Sequence, residues 1–176
     1  MNLIQLFHST VHGRLLEVED ESEHWKALER TGFYGKQGAG SLPFAKDTKR
    51  FLVAHRSHYV EEPGTWGTWG GAVNRGETPQ QTALRELHEE SDYSGAIHLM
   101  PLYVFRSGNF RYSNYLAVVD KEFIPHPHQP YPLPGWETQG FRWCEFGHWP
   151  RPLHFGLRAV LSDPASVTVI RKIIAA

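Results

Sequence analysis

Residues 71–93 read GAVNRGETPQQTALRELHEESDY, and their reading decides the fold. Positions 79 to 91 carry the clearest helical signal in the chain. A helix advances about 100° per residue. Glu86, Glu89 and Glu90 stand at i, i+3 and i+4, so their carboxylates project from one face. Leu84 and Leu87 are expected to point away from that face, toward a core. Three like charges held together repel one another, and Arg85 and His88 are the only basic groups nearby. Two readings follow from the residues alone. One is a solvated helix face with Arg85 paired to Glu89. The other is a site for a hard divalent cation, which prefers oxygen ligands in octahedral geometry and keeps some of its waters.

Outward from this helix the chain alternates strand and helix signals. Gly38 to Ala45 and Phe51 to Ser57 read as two strands joined by the polar turn Lys46-Asp47-Thr48. The stretch PGTWGTWGG reads as a loop running into a short strand. Ile97 to Arg106 and Phe110 to Val119 read as strands around the turn residues Ser107-Gly108-Asn109, and Phe141 to Phe146 as one more. Residues 154–162 and 164–175 read as closing helices. Toward the N-terminus, 1–19 alternate weakly, as strand or irregular chain. A short helix then follows Asp20, which has capping-box spacing to Glu23, and ends at Gly32. Its expected role is packing or dimer contact, without chemistry. From Ile124 to Pro134 five prolines fall in eleven residues, which predicts an extended loop. His126 and His128 in that loop have no third metal ligand evident nearby, so a solvated or lid loop is the reading there. Intermixed strands and helices argue for one α/β or α+β domain over 1–176. The segment 1–36 is an N-terminal extension, and 124–135 is a proline-rich loop.

Composition narrows the class. Six Trp and ten Phe exclude the disordered class. The formal net charge is -1 and no Lys/Arg block occurs, so no nucleic-acid polymer is expected as a partner. One cysteine, Cys144, forbids an intramolecular disulfide and suits a reducing cytoplasm. The start lacks a signal-peptide pattern, and no apolar run approaches the roughly 18 residues a membrane helix needs. Gly38-Ala39-Gly40-Ser41 is no nucleophile elbow, and the glycines near Trp66 lack the Gly-Lys-Ser/Thr of a phosphate-binding loop.

The opening stretch resembles the Nudix box, G-x5-E-x7-R-E-U-x-E-E-x-G-U, where U is bulky and apolar. The match runs through Gly71, Glu77, Arg85, Glu86, Leu87, Glu89 and Glu90. It departs at Asp92, where the pattern has glycine, and Tyr93 fits the last position only loosely. Six non-degenerate matches at about 6% usage each give a chance occurrence on the order of one in 10⁵. The resemblance to this hydrolase family implies an α/β/α sandwich with a mixed central sheet and a carboxylate-rich catalytic helix. It also implies metal-assisted water attack on a phosphoanhydride, with Mg2+, or Mn2+ in its place.

By that resemblance Glu86 and Glu90 are the main metal ligands, and Glu89 ligates directly or through water. The Gly71 carbonyl is a further candidate. Glu77 and Arg85 resemble the salt bridge that ties the loop to the helix. The general base is Glu86 or Glu137; the latter otherwise reads as a loop carboxylate. Arg56 in FLVAHRS resembles an arginine that reaches substrate phosphates, against the reading of a surface arginine. Tyr112 resembles a downstream tyrosine of dinucleoside polyphosphate hydrolases and, with Trp66, Trp69 and Phe110, offers a stacking surface. Asp92 tolerates unusual turn geometry and is expected to alter the helix exit without loss of metal binding. The implied substrate is a small nucleotide-like molecule. It is a nucleoside triphosphate or another nucleoside diphosphate derivative, with ADP-ribose and dinucleoside polyphosphates as alternatives. A nucleotide-sensing module without turnover is the alternative of another class.

Overall fold

The computed structural model describes residues 22–126 and 137–176. The weak strand expected over 1–19, the Asp20 cap, His128 and most of the proline-rich loop lie outside the described residues. A helix over 22–31 (α1) ends where expected, with Gly32 at φ +78°. It is followed by β1 (Gln37–Ala45), β2 (Arg50–Arg56), β3 (Trp66–Gly67) and β4 (Trp69–Ala72). Then come α2 (Pro79–Ser91), β5 (His98–Ser107), β6 (Phe110–Val119), β7 (Thr138–Cys144), α3 (Phe155–Ser162) and α4 (Pro164–Ala175).

The sheet is mixed. β1 runs parallel to β6 along its whole length, and the other pairings are antiparallel. Strand periodicity sorts the core into two layers. Leu42, Phe44, Phe51, Val53, Leu116 and Val118 meet Leu157, Val160 and Ile170 of α3 and α4. Their neighbours Leu52, Ala54 and Ala117 turn the other way and pack with Trp69 and Leu87 of α2. The result is helix, sheet, helix, the architecture expected.

The hairpin of β1 and β2 opens into a wedge. The two strands pair only beside their turn, at Phe44 with Phe51 and Ala45 with Arg50. Further along, β3 takes the edge of β2 and β4 takes the edge of β1. PGTWGTWGG therefore forms two short strands about Thr68, where one was expected. Trp69 is fully buried in the wedge, and its indole Nε1 donates to the Leu52 carbonyl at 3.3 Å. Trp69 is core, unavailable for stacking on a ligand.

Helix α2 has the bounds read from sequence. Thr78 caps it, with a reciprocal capping box to Gln81. Its buried stripe is Thr82, Ala83, Glu86, Leu87, Glu90 and Ser91. Leu84 is exposed, which corrects the expectation that it points to a core. Ala83 holds that place, four residues before Leu87, and packs with Ala39 of β1 and Tyr115 of β6. The strand β7 starts three residues before the expected Phe141 and ends at Cys144, where its pairing with Phe51 of β2 stops.

Candidate active site

The wedge and the N-terminal ends of β1 and β6 open into a cavity of about 680 Å³. Glu86, Glu89, Glu90, Arg85, Gly71, Arg56, Tyr112 and Glu137 all line it, so one cavity collects the expected catalytic, metal and substrate residues, while Glu77 and the stacking candidates Trp66 and Trp69 lie outside its lining. Glu77 sits behind this wall as a support.

Arg85 organises the acidic wall. Its Nε and Nη2 grip the two oxygens of Glu77 at 2.7 and 3.0 Å. Nη1 donates to Glu86 at 2.8 Å and to Glu89 at 2.9 Å, and Nη2 also reaches the Ala72 carbonyl at 3.1 Å. These five bonds match the five donors of a guanidinium. The Arg85–Glu89 pair of the solvated-face reading is present, but as one arm of a larger network. Burial works against the Glu77 carboxylate, yet the hydrogen bonds from Arg85 and Thr82 outweigh it and hold its pKa below the ordinary value. The Thr82 hydroxyl adds its bond at 2.8 Å, and the Asn74 amide donates to Glu77 at 3.2 Å.

Glu86 and Glu90 are buried, at 8% and 5% exposure, while Glu89 stands half open to solvent. Burial pushes the Glu86 carboxyl up to about 8, against the pull of Arg85 and with a further push from Glu137 and Glu89. Burial also drives Glu90 well above its ordinary value, reinforced by Glu137 and Glu86; Arg56 and the Gly70 amide oppose it. Two buried carboxylates thus share one cavity wall with a third, Glu137. Glycine at 71 leaves room for the Glu86 carboxylate, since a Cβ there would stand 2.6 Å from Oε1.

The remaining expectations divide. Arg56 ends β2, and its Nε donates to the Glu61 carbonyl at 2.8 Å, which turns the guanidinium along the cavity wall. Tyr112 is buried at 7% exposure. Its ring fills the space above Gly38, where a Cβ would lie 2.5 Å from Cδ2, so the ring is packed as cavity floor. Phe110 is buried and stacked on Phe33 at 4.3 Å, and Trp66 stacks on His55 at the same spacing. Asp92 adopts the left-handed conformation at φ +60°, and its amide closes the helix on the His88 carbonyl at 2.7 Å. Asp92 thus takes the left-handed turn that a glycine would take, and the altered exit expected from this departure is not seen. His126 is exposed and donates its backbone amide to the Ser91 carbonyl.

Sequence reading missed two groups. His154, which caps α3, lies in the cavity wall at 4% exposure, and burial, then Arg56 and Arg158, lower its pKa to about 2. It is a neutral imidazole whose Nδ1 accepts from the Gly156 amide at 3.3 Å, so its proton sits on Nε2. Helix α1, expected to carry no chemistry, sends His24, Trp25 and Leu28 into the cavity. Neither group has a local signature: a capping His and one helix face look alike in a core and in a site.

Comparison with known proteins agrees with this geometry. The NUDIX domain family matches residues 36–163, and the chain belongs to it. A Mycobacterium tuberculosis protein provisionally named 8-oxo-dGTP diphosphatase 3 is 35% identical over 83 residues, covering 44% of this chain and 38% of that protein. Dihydroneopterin triphosphate diphosphatase of Haemophilus influenzae is 31% identical over 100 residues, 47% of this chain and 61% of the other. Both matches thus span less than two thirds of the relatives' own lengths. Among solved structures, the Nudix hydrolase RenU of M. smegmatis superposes with a TM-score of 0.63 over 81% of this chain and 88% of that one, at 24% identity. That likeness concerns the fold.

Proposed function

We propose that the chain hydrolyses a phosphoanhydride bond in a nucleoside triphosphate or another nucleoside diphosphate derivative, with a divalent metal ion. The observation that carries this reading is the pair Glu86 and Glu90, two carboxylates buried together on the wall of an open cavity. Among the described residues no three His, Cys, Asp or Glu side chains close a metal cage. The donor chemistry nevertheless fits magnesium or manganese, because a hard ion takes carboxylate oxygens and completes its shell with water and phosphate oxygens. Glu86 and Glu90 would hold it, Glu89 directly or through water, and the Gly71 carbonyl is the backbone candidate. Bound metal would align the phosphates and offset the charge that develops during water attack.

The chain's own groups do the rest. Arg85 keeps Glu86 in place from Glu77, as supporting groups do for metal ligands. Glu137, which confronts Glu86 and Glu90 across the cavity, would take the proton of the attacking water. Glu86 is the weaker candidate, since Arg85 already occupies Oε1. Arg56 would bind a phosphate with its guanidinium. The names of the M. tuberculosis and H. influenzae relatives, both diphosphatases of triphosphates, support a triphosphate substrate. A reducing cytoplasm suits a chain whose Cys144 is buried and free. No helix among the described residues is long and apolar enough to cross a membrane.

The test is a panel of nucleoside triphosphates, ADP-ribose, nucleotide sugars and dinucleoside polyphosphates, each with and without magnesium, with Glu90→Gln as control. Metal-dependent turnover that collapses in the variant is expected. Tight binding of a panel compound that stays intact would overturn the reading in favour of a sensor.

A further inference from the structure

The residues that complete the cavity lie partly outside the family domain. The family match begins at residue 36, whereas α1 ends at residue 31. Among the described residues five large apolar side chains are exposed: Trp25, Tyr59, Leu84, Val104 and Ile124. The two aromatic ones, Trp25 at 50% and Tyr59 at 63% exposure, are also the two that line this cavity. Leaving aromatic area in water is unfavourable, and a pair of such rings in a cavity that also holds phosphate-binding chemistry calls for a flat occupant.

The helix that carries Trp25 is held by contacts that run into the acidic wall, and the loop that carries Tyr59 is tied to the segment after that helix. Trp25 packs edge-on against Tyr34, with centroids 5.3 Å apart. The Tyr34 amide donates to the Glu61 carboxylate at 2.9 Å, which ties the segment after α1 to the loop that carries Tyr59. His24 meets Asn74 Oδ1 at 3.3 Å, and the Asn74 amide donates to Glu77, the partner of Arg85. Phe33 stacks on Phe110 and anchors the exit of the helix. The helix is thus fixed on the cavity by polar and aromatic contacts at several points.

We propose that Trp25 and Tyr59 hold the planar heteroaromatic ring of the substrate, a purine-like base, so that a segment before the NUDIX domain sets specificity. This rests on the hydrolase reading for the position of the phosphates, but its test does not need turnover. Stacking on an aromatic side chain is worth on the order of tenfold or more in affinity per base.

Guanosine 5′-monophosphate, adenosine 5′-monophosphate and ribose 5-phosphate, which has no base, are titrated calorimetrically into the full chain and into Trp25→Ala, Trp25→Phe and Tyr59→Ala. At least one nucleotide is expected to bind tenfold or more tightly than ribose 5-phosphate. Trp25→Ala and Tyr59→Ala should remove most of that difference, and Trp25→Phe, which keeps a ring face, should restore it. Nucleotides that bind no better than ribose 5-phosphate would overturn the proposal. So would alanine variants that bind them as the parent does, or equal losses in Trp25→Phe and Trp25→Ala. Base-dependent binding without hydrolysis of any compound of the substrate panel would sink the hydrolase reading alone; hydrolysis indifferent to Trp25 and Tyr59 would sink this one alone.

Discussion

Arg85 and Glu77, eight positions apart, are locked oxygen by oxygen, with Nε on Oε1 at 2.7 Å and Nη2 on Oε2 at 3.0 Å. This two-point grip fixes the guanidinium plane, and the remaining Nη1 then holds Glu86 and Glu89. A lysine offers a point charge in place of this fork. Arg85→Lys should therefore lower kcat by about 10–100-fold, the usual loss when a ligand-orienting group is removed. A magnesium titration of the rate checks this, and an unchanged metal dependence would show that Arg85 serves the fold alone.

Gly71→Ala puts a methyl group where the Glu86 carboxylate now lies, 2.6 Å from Oε1. The carboxylate is the far end of a flexible chain, so it can swing aside for about 0.5–1.5 kcal/mol of rotamer strain. The variant should fold normally and bind magnesium at least tenfold more weakly. Thermal melts beside a metal titration separate the two effects; a collapsed melt with intact metal binding in the folded fraction would contradict this.

Glu90→Gln should stabilise the metal-free protein at pH 8. A carboxyl whose folded pKa is raised binds its proton more tightly in the folded state, so it costs stability as pH rises above its unfolded value. The advantage of the variant should fade toward pH 5, closer to the ordinary carboxylate value. Magnesium should raise the melting temperature of the parent and leave Glu90→Gln nearly unmoved. Melts in chelator and in magnesium at both pH values read this directly.

His154 acts with the opposite sign. Its folded pKa is about 2 against an ordinary 6.5. Between those values only the unfolded chain binds the proton, so stability is lost as pH falls below about 6.5 and is complete above it. His154→Asn keeps an N-cap acceptor and removes this titration. From pH 6.5 down to pH 5 the parent should lose about 2 kcal/mol more than the variant. Parallel denaturant curves with equal slopes against pH would refute the buried neutral imidazole.

Asp92 holds φ +60° at the helix exit, a region that glycine enters without penalty. Asp92→Gly should stabilise the chain by up to about 1 kcal/mol, or roughly 2–4 °C for a chain of this length. A lower melting temperature would mean that the Asp side chain does more than tolerate the turn.

Much of the site was legible because it is local. The spacing of Glu86, Glu89 and Glu90 puts them on one face of a helix whatever surrounds it, and Gly71, Glu77 and Arg85 stand close enough in the chain to meet through one loop. Strand bounds were read well where two buried faces alternate, as in β6, and less well in β7, where the end is set by pairing with β2. Leu84 was misplaced because helical periodicity gives directions, and only the neighbouring strand decides how wide the buried stripe is.

The sequence by itself determined the family, the catalytic helix, the residues of its acidic face and the turn at Asp92, since each depends on spacings within a couple of dozen residues. The tertiary structure alone decided that Glu86 and Glu90 are buried while Glu89 is half open, that Glu137, in the turn just before β7, lines the same cavity, and that Tyr112 is floor and His154 wall. It alone brought Trp25 to the cavity. Burial and juxtaposition across the wedge between β1 and β2 are properties of the packed chain, and no local pattern of residues encodes them.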